Sequence, residues 1–207
     1  MKKLFGLVLS ILFTLIATVP AGYAATASSG PYSVSAQVNS TLTLSVVLKK
    51  NSSTGATVSS IDFGTLQEFT NPTTGGKTLR SSTAGSTGTG SVVALVSANS
   101  HGVPYSIKQT GTALSAGGST IPAGACTFVP VYASADNGGA GNTNTLGSAT
   151  SWVGNDKTIV TSTDGSMRTY QVHYSITDDT AAGANAAVPV NQIGGTYSAQ
   201  VTFTATA

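Results

Sequence analysis

Apolar and polar residues alternate along most of this chain. At the C-terminus Tyr197, Ala199, Val201, Phe203 and Ala205 alternate with Ser198, Gln200, Thr202, Thr204 and Thr206. A period of two marks a strand with one buried face, and it places Tyr197 and Phe203 in the core. Near the other end Tyr32, Val34, Ala36 and Val38 alternate with Ser33, Ser35, Gln37 and Asn39, and Leu42, Leu44 and Val46 continue the pattern. Residues 92–98 are an apolar run suited to a central strand. Residues 104–110 and 126–132 read as strands, and 58–63 as a short mixed one. Residues 158–163 and 169–177 look like a strand pair. The turn between them, Thr163-Asp164-Gly165-Ser166, predicts a hairpin, because Asp-Gly tolerates positive φ. On the second strand Tyr170, Val172, Tyr174 and Ile176 form the buried face, and Gln171, His173 and Ser175 the solvated one.

Polar, Gly-rich segments separate these runs: 49–55, 75–76, 81–90 and 136–147. Residues 180–191 are an Ala-rich insertion. After the N-terminal segment nothing shows a helical period, and the Thr, Val, Ser and Gly content disfavours helix. About nine short strands with Gly-rich turns predict an all-β fold, an antiparallel β-sandwich of the immunoglobulin-like or pilin-like kind.

Met1-Lys2-Lys3, the apolar run 4–19 and the small residues around Ala24 and Ala27 have the layout of a secretory signal peptide. The apolar run is short for a membrane span, which needs ~20 residues. Cleavage is expected after Ala24 or Ala27. That leaves residues 25–207 as one sandwich domain with a flexible N-terminal arm, 25–39, secreted through a periplasm to the outside or the cell surface, with no membrane insertion after cleavage. Losing Lys2 and Lys3 takes the formal net charge from +2 to zero, and only 8% of residues are charged. Such a chain has no electrostatic footprint for nucleic acid, and little repulsion opposes its self-association.

Catalytic and metal motifs are missing. His101 and His173 belong to no metal-ligand set and read as solvated. No Gly-x-Ser-x-Gly elbow occurs. Glu68 is the only glutamate, and Asp178-Asp179 would point to opposite faces of a strand. Asp62 reads as a turn residue. Cys126, the only cysteine, lies in a strand and reads as a small buried hydrophobe. No enzyme activity and no cofactor are expected. A ligand site has one set of candidates: Trp152 as a sugar-stacking ring, with Asp136 and Asn142 in a Gly-rich loop. That loop offers oxygen ligands of the kind calcium accepts, in a single partial repeat.

Two segments resemble a known class. Ile61-Asp62-Phe63-Gly64-Thr65-Leu66 is similar to the "DFG-hydrophobe" segment of secreted bacterial surface β-sandwiches, among them spore-coat-U-like fimbrial subunits and WxL-type surface domains. The ending 195–204 resembles their closing "G-x-Y-x-x-x-V-x-hydrophobe-T" strand and the final strand of chaperone–usher pilins. The chain departs from these relatives in having one cysteine, Thr206 next to last, and Val153-Gly154 after Trp152. The resemblance implies a secreted surface or fimbrial sandwich without specifying the assembly machinery. The expected function is a structural subunit assembling through β-strand pairing, with self-association, other surface proteins or a periplasmic chaperone as partners. The alternative is a carbohydrate-binding or adhesive module. Neither 32–38 nor 197–207 contains a charge or a proline to protect an edge. Either these segments are covered within the fold, with 32–38 pairing in its own domain as an ordinary first strand, or Tyr32, Val34, Ala36 and Val38 are anchors for strand addition to a neighbour.

Overall fold

The alternation at the start of the domain becomes β1 (Thr43–Lys50), in a computed structural model that describes residues 42–72, 74–81, 92–133, 144–177, 181 and 183–207. In chain order there follow β2 (Thr57–Val58), β3 (Gln67–Thr70), β4 (Lys77–Arg80), β5 (Val92–Asn99), β6 (Tyr105–Gly111), β7 (Ser115–Ala116) and β8 (Ser119–Thr120). After a 3-10 turn at Ala123–Ala125 come β9 (Cys126–Tyr132), β10 (Thr145–Leu146), β11 (Thr150–Ser151), β12 (Gly154–Ser162), β13 (Arg168–Ile176), β14 (Val188–Pro189) and β15 (Val201–Thr206). The fold is all-β. The strand count exceeds the nine expected, because six of the fifteen described strands are two-residue pairings.

All pairings are antiparallel. A six-stranded sheet runs β11-β9-β13-β5-β1-β2, and a four-stranded sheet runs β10-β12-β6-β15. A smaller sheet, β14-β4-β3, and the β7-β8 hairpin complete the set. The central position of β5 follows from its composition. β1 pairs along its whole length on one side, from Thr43↔Asn99 to Lys50↔Val92, and β13 lies on the other. Both faces of β5 are covered over its first half, with Val93 as buried as Val92, Ala94 and Val96, and a strand covered on both faces shows an apolar run in place of alternation.

The two main sheets share one core. Val96, Phe128, Tyr170, Val172 and Tyr174 of the larger meet Tyr105, Ile107, Ile159 and Val160 of the smaller, and all are at most 2% exposed. Buried phenols need partners, and these find them across the sandwich. The Tyr105 and Tyr170 hydroxyls are 3.0 Å apart, Asn144 Nδ2 donates to the Tyr170 hydroxyl at 3.3 Å, and the Tyr174 hydroxyl donates to Gln109 Oε1. Burial pushes the Tyr170 and Tyr174 phenols well above their ordinary range, so both stay protonated donors.

Four expectations need correction. First, β12 and β13 do not form a hairpin. They lie in different sheets, and residues 163–167 arch between them. Their apolar residues face each other across the core, and the arch is long enough to cover the ~10 Å between packed sheets. Asp164 closes this arch. Its Oδ1 accepts from Ser166 N at 3.0 Å and the Ser162 hydroxyl at 3.2 Å, and its Oδ2 from Arg168 Nη2 at 2.8 Å. Gly165, at φ +64, has no room for a side chain, since a Cβ there would sit 2.3 Å from Val103 O. Second, His173 is only 3% exposed. It lies in register between Val129 and Val93 on a central strand, and burial lowers its imidazole pKa. Third, strand pairing after β1 stops at Val58, so residues 59–66 belong to no sheet. Fourth, Tyr197 and Phe203 are half-buried rather than core: Phe203 lies on β15, a sheet edge among the described residues, and Tyr197 precedes that strand in a loop. Tyr32, Val34, Ala36, Val38, Asp136, Asn142, Asp178 and Asp179 lie outside the described residues.

Candidate functional site

Among the described residues, no strand closes the side of the sandwich bounded by β1 and β15. Leu44, Val46 and Leu48 on β1 and Val201, Phe203 and Ala205 on β15 are all half-buried, whereas Val96, Val172 and Ile107 on inner strands are fully buried. Each half-buried side chain packs on the core, and Val46, Leu48, Val201 and Phe203 also face a gap. The gap is a cleft of about 1100 Å³. Its floor is Leu114, Ile121, Trp152, Tyr174 and Ile176.

The backbone along this side is also open. In the four-stranded sheet β15 pairs only with β6, from Val201↔Gly111 to Thr206↔Ser106. Its other edge has no partner among the described residues. On the opposite wall β2 covers β1 only at Leu48 and Lys49, so residues 43–47 have no partner strand on that side among the described residues. The N–H and C=O groups of such edges are strand-binding groups.

Trp152 lies at the floor, 2% exposed. Phe63 from the 59–66 segment stacks on it, with ring centroids 6.4 Å apart and planes at 15°, a geometry worth about 0.5–1.5 kcal/mol beyond burial. The indole fits because β6 carries Gly111 beneath it. A Cβ at that position would lie 2.9 Å from the ring and 2.3 Å from Trp152 O. An isolated glycine in a strand pattern marks such a close approach, so this contact had a sequence signal that the alternation argument passed over. Trp152 is thus a covered floor residue, and its Nε1 is buried without a hydrogen-bond partner.

Two loops flank the mouth. One is residues 59–66, where Asp62 Oδ1 accepts from Gly64 N at 2.8 Å, the turn role expected for Asp62. The other runs from Gln192 to Ala199 and is tied down by Tyr197. Its hydroxyl donates to Ile193 O at 2.7 Å and lies 3.1 Å from Ser119 Oγ, while Gln192 Nε2 donates to it at 2.8 Å. Ile193 stays 68% exposed at the rim.

Among the described residues Asp62 is the only charged one lining the cleft. Among the described residues no group of three or more His, Cys, Asp or Glu could hold a metal ion. Burial pushes the Cys126 thiol up to about 12, so it carries no reactive thiolate near neutral pH. The cleft's chemistry is therefore that of a mostly apolar trough with one exposed carboxylate, Asp62, and strand-edge hydrogen-bonding groups along its walls. It suits an extended, uncharged segment whose alternate side chains are apolar. Compared with family models, with curated proteins and with solved structures, this chain matches none.

Proposed function

We propose that the chain is a secreted, non-enzymatic structural subunit of a cell surface that assembles by β-strand pairing. Residues 32–38 of one copy enter the cleft between β1 and β15 of the next. The observation that carries this reading is a coincidence: β15 has an edge without a partner among the described residues, and half-buried apolar side chains lie beside it. One incoming strand would satisfy both, its backbone on the edge and its alternate residues in the trough. Tyr32, Val34, Ala36 and Val38 supply that pattern, and no charged residue occurs between 25 and 48. Apart from the exposed Asp62 the described lining of the cleft is uncharged, as is the arm, so their pairing desolvates little charge. The carbohydrate-binding alternative has less support, because Phe63 covers the ring that would stack on a sugar.

The test compares a chain beginning at Ala25 with one beginning at Ser40. The longer chain should form concentration-dependent assemblies in sedimentation, and a peptide of residues 28–39 should block them. The shorter chain should remain β-rich by circular dichroism, alone or with a periplasmic chaperone, without assembling. A longer chain that stays monomeric at every concentration, with truncation merely unfolding it, would show that the arm pairs within its own domain.

A further inference from the structure

The cleft is already partly filled by the chain itself. Residues 59–66 connect β2 to β3 and line one side of it. Ile61, Phe63 and Leu66 are half-buried and pack on the core, while Asp62, Gly64 and Thr65 are exposed. Ile61 and Phe63 thus show the inward alternation of a strand. Yet no backbone hydrogen bond joins residues 59–66 to either sheet among the described residues. The one bond made within the segment is Asp62 Oδ1 to Gly64 N. Gly64, at φ +64, has no atom within 4 Å of where a side chain would begin. Side-chain contacts on the core side hold this segment down, with the Phe63–Trp152 stack as the most specific of them.

We infer that residues 59–66 are a displaceable strap that occupies the strand-acceptor cleft of the unassembled subunit, with Phe63 on Trp152 as its latch. This rests on the assembly reading above. In the closed state Ile61 and Phe63 cover apolar floor that would otherwise face water. In the assembled state the alternate residues of the incoming strand take over that cover, and the strand adds the backbone hydrogen bonds that the strap does not make. The exchange is biased toward the donor by those bonds and delayed by the latch. A ligand shifts such an equilibrium only through its differential affinity for the two states. Weakening the closed state alone must therefore favour assembly, and the strap opposes premature association of a subunit that has no net charge to keep copies apart.

The experiment uses the intact chain and two readouts. Phe63→Leu keeps an apolar side chain in place and loses the ring stack, whereas Phe63→Tyr keeps the stack. By sedimentation, Phe63→Leu should assemble at a concentration about 2- to 10-fold below wild type, the range set by losing one ring stack. Phe63→Tyr should match wild type. Circular dichroism should show both variants folded. In the second readout, chymotrypsin should cut after Phe63 in assembled wild-type chains and spare that bond in monomers. An unchanged or raised assembly threshold for Phe63→Leu, or an assembly in which Phe63 stays as protected as in the monomer, overturns the strap while leaving strand addition standing. A chain that assembles at no concentration, in wild type and variants alike, overturns both.

Discussion

Phe128 and Phe203 are the same side chain in two environments. Phe128 is fully buried on β9, its ring 6.4 Å from that of Tyr174. Phe203 packs on the core with part of its surface on the cleft. Truncation costs the transfer of the atoms that were buried plus the cavity left behind. Phe128→Ala should therefore destabilise by about 3–5 kcal/mol, and Phe203→Ala by roughly half of that, because solvent refills its site instead of leaving a void. Urea denaturation of monomeric chains measures both. Equal costs would mean that the β1–β15 side is as closed as the middle of the sandwich.

Among the elements, the 163–167 arch joins the two sheets, and Asp164 holds it with bonds to Ser162, Ser166 and Arg168. Asp164→Ala should cost about 1–2 kcal/mol, the range for losing charge-assisted bonds at a half-buried turn. The effect carries a pH signature. The bond from Arg168, then that from the Ser166 N–H, lowers the Asp164 pKa below its ordinary 3.8. The folded state thus binds this proton less readily than the unfolded chain does. The contribution is fully present above pH 3.8 and is lost as pH falls through the folded value. The stability difference between wild type and Asp164→Ala should stay flat through neutral pH and shrink below about pH 3.8. A difference that narrows from pH 6 downward would mean that another group titrates with the arch.

For the whole molecule, low charge acts together with a sheet edge that has no partner among the described residues. Without Lys2 and Lys3 the formal net charge is zero, so approach of two copies meets little repulsion. Thr202 and Thr204 are exposed on β15. Lysines there should leave monomer stability within about 0.5 kcal/mol, as exposed substitutions do. They should raise the assembly threshold by about tenfold or more, because charge on an edge strand opposes pairing. A double Thr202→Lys, Thr204→Lys chain that assembles like wild type would place the contact elsewhere than β15.

What the sequence determined by itself was local. Alternation with a period of two located β1, β13 and β15 to within a few residues, since that period is set by the backbone of each strand alone, and short strand-like runs bounded by turns placed β5, β6, β9 and β12. The apolar run at 92–98 named the central strand, because a strand covered on both faces loses the alternation of apolar and polar residues. Pairing was decided by the tertiary structure. Asp164-Gly165 signals a reversal of the chain equally well within a sheet or between two, and only the core that Tyr170 and Ile159 share selects the arch. Burial on edge strands was likewise out of reach. The pattern of Phe203 matches that of a core residue, and its half-burial follows from β15 having β6 on one side and a cleft on the other. His173 reads as polar and solvated along the chain, yet it lies between Val93 and Val129 on neighbouring strands far away in sequence. The cleft itself was legible only in part. The unprotected end of the chain pointed to an open edge, but the trough beside it is made by β1, residues 59–66, Trp152 and β15. Periodicity describes one strand at a time. A site shared by four distant segments exists only once the sheets have packed.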